Sequence, residues 1–147
     1  LNLREWWEKE GETSYVEAVD HMLVLLHRFL DSMPKERVER LSAFTEIAEE
    51  ISGNLKLMDQ TIVPNPQFSP DSRWTDLAHA FEARPFLFAN IQGVAGMYAS
   101  LGRFLSGAFV GRLGRCLYCN GLFLAPDDGR HTYCPGMGHQ ERHKAST

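Results

Sequence analysis

From residue 14 to residue 53 apolar side chains return every third or fourth position, the pattern of helices that bury one face. Ser14 and Glu17 form a capping pair, and Val16, Val19, Leu23, Leu26 and Leu30 then make one apolar stripe. A further helix follows Pro34, with Val38, Leu41, Phe44, Ile47 and Ile51 turned inward and Gly53 as its stop. The short turn between the two predicts an antiparallel pair. Upstream, Asn2 and Glu5 suit a capping box, Trp6 and Trp7 add apolar surface, and Gly11 ends a short first helix.

Prolines 64, 66 and 70 break regular structure between Val63 and Asp71, so that stretch reads as a loop or a boundary. Asp71 or Ser72 can cap another helix through Trp74, Leu77, Ala78 and Phe81, stopped near Pro85. Phe86 to Leu113 is apolar, rich in Gly and Ala, and free of Asp, Glu and Lys. Gly107 and Gly111 even have the small-residue spacing of membrane helices. Asn90, Gln92, Ser100 and Arg103 interrupt the run, however, and a central helix packed by neighbours needs the same small residues. No membrane partner is expected.

The tail brings in chemistry. Cys116 and Cys119 form a Cys-x-x-Cys pair, Cys134 follows after fourteen residues and His139 after four more, and these are all three cysteines of the chain. Zinc takes thiolate sulfur and imidazole nitrogen in a tetrahedron, and a Cys3His set fills every position. With no position left for water or substrate, the site reads as structural, and a non-enzymatic protein is expected. Asn120-Gly121 supplies the positive-φ positions of a turn, and Leu122-Phe123-Leu124 a short strand whose Phe123 can cover the metal. Residues 125–129 form a second turn, with His131-Thr132-Tyr133 as the return strand. Gln140 to Ala145 then forms a short helix with His139 and His143 on one face.

Other uses of these residues are weaker. A redox Cys-x-x-Cys needs a strand and helix around it, whereas an Asn-Gly turn follows at once. His143 and His131 compete with His139 for the fourth position, and a Cys2His2 set of Cys116, Cys119, His139 and His143 ranks second because it strands Cys134. No nucleophile stands beside a base. The acidic pairs Glu49-Glu50 and Asp127-Asp128 read as solvated faces, and His21 and His27, six residues apart, as core-edge or surface histidines.

Arg112-Leu-Gly-Arg-Cys-Leu-Tyr-Cys-Asn-Gly-Leu-Phe-Leu and then Arg130-His-Thr-Tyr-Cys134 resemble the C-terminal zinc finger of the bacterial CGNR proteins. Phe123, Tyr133 and Cys134 fall on that finger's Phe, aromatic and third Cys. Its Cys-Gly-Asn-Arg tetrad reads His139-Gln140-Glu141-Arg142 here, so a His replaces the fourth Cys and of the rest only the Arg remains. The first pair is also closer together than in the family. The resemblance covers the tail alone, and implies a zinc finger after a helical domain in a stress-linked transcription regulator.

At 147 residues and 44% hydrophobic content the chain has enough for a core plus a small appendage. The expected fold is mainly α: a helical domain over 1–111 with a loop near 63–71, then a zinc module over 112–147 built as a β-hairpin plus short helix, zinc-ribbon or treble-clef-like. Residues 1–100 hold nine cationic against sixteen anionic side chains, −7, and 101–147 hold six against three, +3, giving the overall −4. Arg112, Arg115, Arg130, Arg142 and Lys144 are the candidate phosphate contacts of the basic tail. The expected partners are DNA or the transcription machinery, with a homo-oligomer or protein-docking platform as the alternative. Reduced cysteines and the lack of a signal peptide fit a cytoplasmic location, although a start at Leu1 suggests a trimmed chain.

Overall fold

Helix α1 (Leu3–Ser32) and helix α2 (Arg37–Gly53) carry the two longest apolar patterns and pack across an aromatic junction. The computed structural model describes residues 3–55, 61–70, 79–84, 93–126 and 131–146. Among these, α2 is followed by strands β1 (Thr61–Pro64) and β2 (Phe81–Arg84), helix α3 (Gly93–Leu105) and a 3-10 helix (Ala108–Arg112). Strands β3 (Leu113–Arg115) and β4 (Leu122–Leu124) and helix α4 (His139–Ser146) complete the order. Four helices and two antiparallel two-stranded sheets make the described fold mainly helical.

Helix α1 corrects two expectations. It runs unbroken through Gly11, because a glycine inside a helix costs only about 1 kcal/mol relative to alanine and no proline enforces a stop. Its buried face is also not the expected stripe. Ala18, Leu25 and Phe29 are buried, whereas Val16, Val19 and Leu23 are exposed and Leu26 and Leu30 half-buried. At 100° per residue the two stripes lie roughly 120° apart around the helix. The aromatic residue decides between them: the ring of Phe29 stacks on Phe44 at 5.2 Å and lies 6.1 Å from Phe81, while Phe44 and Phe81 are 5.0 Å apart. Rings of this size dominate core energetics, so α1 turns its Phe inward and leaves the valines outside.

In α2, Phe44, Ile47 and Ile51 are buried as expected, but Val38 is 80% exposed. It sits roughly 120° around the helix from Phe44, off the buried face. Arg28 pairs with Glu50 at 2.6 Å, and the contacts His21–Glu50 and Phe29–Phe44, which advance along α1 while receding along α2, place the two helices antiparallel.

The expected proline loop begins inside a strand. Thr61 to Pro64 pairs antiparallel with Phe81 to Arg84, Thr61 opposite Arg84 and Pro64 opposite Phe81. Pro64 is the last residue of β1, where a missing N–H is tolerated. Buried Asn65 closes the hairpin: its backbone N–H donates to Ala80 O at 2.9 Å and its Nδ2 to His79 O at 2.6 Å, while its Oδ1 accepts from Gln67 N at 3.0 Å. Ser52 Oγ, on α2, accepts from Ile62 N at 3.0 Å and ties the hairpin to the helix. Phe81, expected at the end of a helix, is therefore a fully buried strand residue. The remainder of that expected helix, 71–78, lies outside the described residues.

Helix α3 occupies the latter part of the apolar stretch, with 85–92 outside the described residues, and buries Tyr98, Ala99, Leu101 and Leu105. A Cβ at Gly102 would stand 3.3 Å from Ile62 Cγ2, so the small residue permits close approach to the hairpin. Among the described residues no helix is long and apolar enough to cross a membrane. One polar chain joins three helices: Tyr98 hydroxyl meets His21 Nδ1 at 2.5 Å, His21 Nε2 is 3.6 Å from Glu50, and Glu50 pairs with Arg28. Burial, with the Glu50 charge nearby, holds the Tyr98 hydroxyl above its usual titration range.

Candidate metal centre

The first ligand pair sits in a knuckle between β3 and β4. Leu113 pairs with Leu124, Gly114 with Phe123 and Arg115 with Leu122, so the chain leaves β3 straight into Cys116 and returns through Gly121. Cys116 N–H donates to Gly121 O and Asn120 N–H to Cys116 O, both at 2.9 Å, which closes the turn. Asn120 adopts φ 59°, the left-handed conformation that Asn tolerates best after glycine. Gly121 serves a different purpose from the one expected: positive φ is confined to Asn120 in this turn. A Cβ at Gly121 would come within 3.1 Å of Cys119 Sγ, and the Gly121 N–H donates to that sulfur at 3.3 Å. Glycine lets the backbone reach the thiol.

The hairpin differs from the expected one. Leu122–Leu124 pairs backward with β3, not forward with 131–133. The register explains this, since a six-residue knuckle, 116–121, brings β3 and β4 together locally. Residues 131–133 are not a strand, but Thr132 O accepts from Leu117 N at 2.9 Å and so holds Cys134 beside the knuckle. Phe123 packs across the hairpin on Gly114, whose added Cβ would stand 2.6 Å from Phe123 Cζ.

Helix α4 opens at His139 and delivers that imidazole to the site. Cys116, Cys119, Cys134 and His139 each offer one donor atom, and all four atoms lie within 4.8 Å of one another. Cys116 Sγ is 3.5 Å from His139 Nδ1, and Cys119 Sγ is 3.6 Å from Cys134 Sγ. Cys116 and His139 are buried, Cys134 is half-buried and Cys119 is exposed. The competing histidine has other work: His143 Nδ1 meets Tyr133 hydroxyl at 2.9 Å, and Tyr118 packs against His139 with ring centroids 5.0 Å apart.

Electrostatics favour a cation among these donors. Burial raises the Cys116 thiol, but the backbone N–H groups of Cys119 and Cys134, together with His139, outweigh it and hold the group down to about 5. Burial pushes the Cys134 thiol up to about 11, and the neighbouring Cys119 and Cys116 sulfurs add to the rise. Crowded thiols do not all ionise on their own, and a positive ion at their centre removes the conflict. The set therefore fits a metal by both distance and charge.

The cationic candidates among the described residues differ in their surroundings. Arg115 is turned inward to α1, with Nη2 donating to Asp31 Oδ1 at 2.6 Å and Nη1 3.3 Å from His27 Nδ1. A carboxylate of α1 therefore shares the guanidinium that the sequence offers as a phosphate contact. Arg112 is half-buried, and Arg130 lies outside the described residues. Arg142 and Lys144 are exposed on α4, but two positions apart on a helix they face different ways. The contact of Asp31 and His27 with Arg115 was not anticipated, although their one-turn spacing on α1 is a signal for a shared contact. No protein-family model matches the chain, and no curated protein or solved structure matches it.

Proposed function

We propose that this protein is a non-enzymatic regulator in which Cys116, Cys119, Cys134 and His139 hold a structural zinc ion that builds a docking module for nucleic acid. The donor geometry carries the reading. Zinc bonds of about 2.3 Å to sulfur and about 2.0 Å to nitrogen give tetrahedral edges of about 3.8 Å between sulfurs and about 3.5 Å from sulfur to nitrogen. The Cys119–Cys134 and Cys116–His139 separations, 3.6 and 3.5 Å, are close to those edges. A knuckle, a short hairpin and a helix that supplies the fourth ligand from its first residue make the module treble-clef-like. When bound, the ion supplies a cross-link between four chain positions rather than a reactive site, since four protein donors fill its tetrahedron.

The nucleic-acid part rests on the basic tail, the exposed Arg142 and Lys144, and the likeness of 112–134 to CGNR fingers. A cytoplasmic setting belongs to the same reading, with the three cysteines free of disulfides. Docking on protein is the second reading, favoured by Leu117, Tyr118 and Met137, which are exposed on the module.

Metal content and cobalt-substituted spectra of the full chain test the ligand set. One zinc per chain is expected for wild type and for His143→Ala, with strong loss in Cys134→Ala and His139→Ala. Full affinity in Cys134→Ala alongside loss in His143→Ala would reject the assignment. For the nucleic-acid part, the zinc-loaded protein should bind mixed-sequence duplex with an affinity that falls as salt rises. Absence of any binding at low salt leaves the protein-docking reading.

A further inference from the structure

Arg115 stands one residue before the first metal-site cysteine, and helix α1 holds it. A guanidinium has donors only, so in the 3.3 Å contact Arg115 Nη1 donates to His27 Nδ1. Asp31 accepts the second donor at 2.6 Å, one helical turn further along α1. A planar fork of two donors thus meets two acceptors on one helix face. Leu113, two residues before Arg115, is packed against the hydrophobic core and roots the module there. Arg115 is the next fixed point outward.

The pair sits at the surface, with the side chains of Arg115 and Asp31 exposed by 31% and 57%. Exposed pairs of this kind are weak and are screened by salt. The charge of the two regions has the same sense: residues 1–100 carry −7 and residues 101–147 carry +3. A carboxylate on an acidic body occupies the guanidinium that a phosphate would take, since carboxylate and phosphate both suit an arginine fork.

We propose that Asp31 and His27 form an autoinhibitory lock on Arg115, which seats the metal module against α1 and withholds that guanidinium from polyanions until a competing phosphate opens it. The withholding of phosphate rests on the nucleic-acid reading above; the seating of the module does not.

Hydrogen exchange at 113–115 and 122–124 of the zinc-loaded full chain reads the lock directly. Asp31→Asn should speed exchange there by about two- to five-fold, the range expected for loss of an exposed pair. Asp20→Asn, the same charge change at another exposed position of α1, should leave exchange unchanged. The swapped pair, Asp31→Arg with Arg115→Asp, should restore slow exchange. Binding of a short mixed-sequence duplex should tighten by a similar factor in Asp31→Asn and less in Asp20→Asn.

Equal exchange in Asp31→Asn and wild type overturns the lock. Equal tightening in the two neutralised variants overturns its autoinhibitory role, because bulk charge then accounts for the gain. Faster exchange in Asp31→Asn without duplex binding by any variant confirms the seating and rejects the nucleic-acid reading.

Discussion

At Gly114 a single methyl group decides whether the hairpin carrying the first ligand pair closes. The added carbon would meet Phe123 Cζ at 2.6 Å and Cε2 at 2.9 Å, so the ring has to leave its place on β3. Gly114→Ala should destabilise the metal-loaded module by about 1–3 kcal/mol, the usual cost of overpacking. Local thermal unfolding would show it, and Phe123→Leu in the same chain should recover part of the loss through direct coupling. Unchanged stability in Gly114→Ala would mean that Phe123 does not lie on β3. The glycines also show what could be read from residues alone. Asn120-Gly121 is legible as a turn because its chemistry is local, and Asn120 does take positive φ. The purpose of Gly121 was not legible, since the 3.1 Å clearance to Cys119 Sγ exists only once the knuckle is folded.

Among elements, α1 shows how a helix can be read correctly while its buried face is misread. Val16, Val19, Leu23, Leu26 and Leu30 have helical spacing, and so do Ala18, Leu25 and Phe29. Periodicity along one chain does not say which set the neighbours will cover. Phe44 and Phe81 decide it, and Phe81 is separated from Phe29 by fifty-two positions and belongs to a strand with no pattern of its own. The β1–β2 hairpin was hidden for a related reason: each strand has four residues, and β1 ends in a proline. Substitutions separate the two α1–α2 faces. Phe44→Ala should cost about 3–5 kcal/mol, since it opens a cavity between Phe29, Phe68 and Phe81. Val38→Lys should change stability by no more than about 0.5 kcal/mol. Denaturant unfolding of both variants checks this, and a large loss from Val38→Lys would restore the expected inward face.

For the molecule as a whole, the metal site and the helical core depend on different kinds of constraint. The core packs by apolar burial from Ala18 to Val110, while the described module has only three-residue strands and one short helix to hold it. So small a unit buries little surface of its own, and a metal ion on its four donors would supply much of its folding free energy. Chelation should therefore release the amides of 116–126 and 131–146 to fast exchange while α1, α2 and α3 stay protected. Simultaneous loss of protection in all helices would show instead that metal and core form one cooperative unit. The cluster of four donors was legible in the sequence because metal coordination restricts residue type and spacing together. The seat of the module on α1 was not, because the partners of Arg115 lie more than eighty residues upstream.

Every buried core residue from Ala18 to Val110 precedes Cys116, and His139 comes last of the four donors. A ribosome adds about 5–20 residues each second, so His139 is made a second or more after the helical core is complete. An ion held by these four donors would thus be captured, during synthesis, by a chain whose body has already formed. Without an ion on those donors, the product would be a folded helical protein with an open tail rather than a wholly unfolded one.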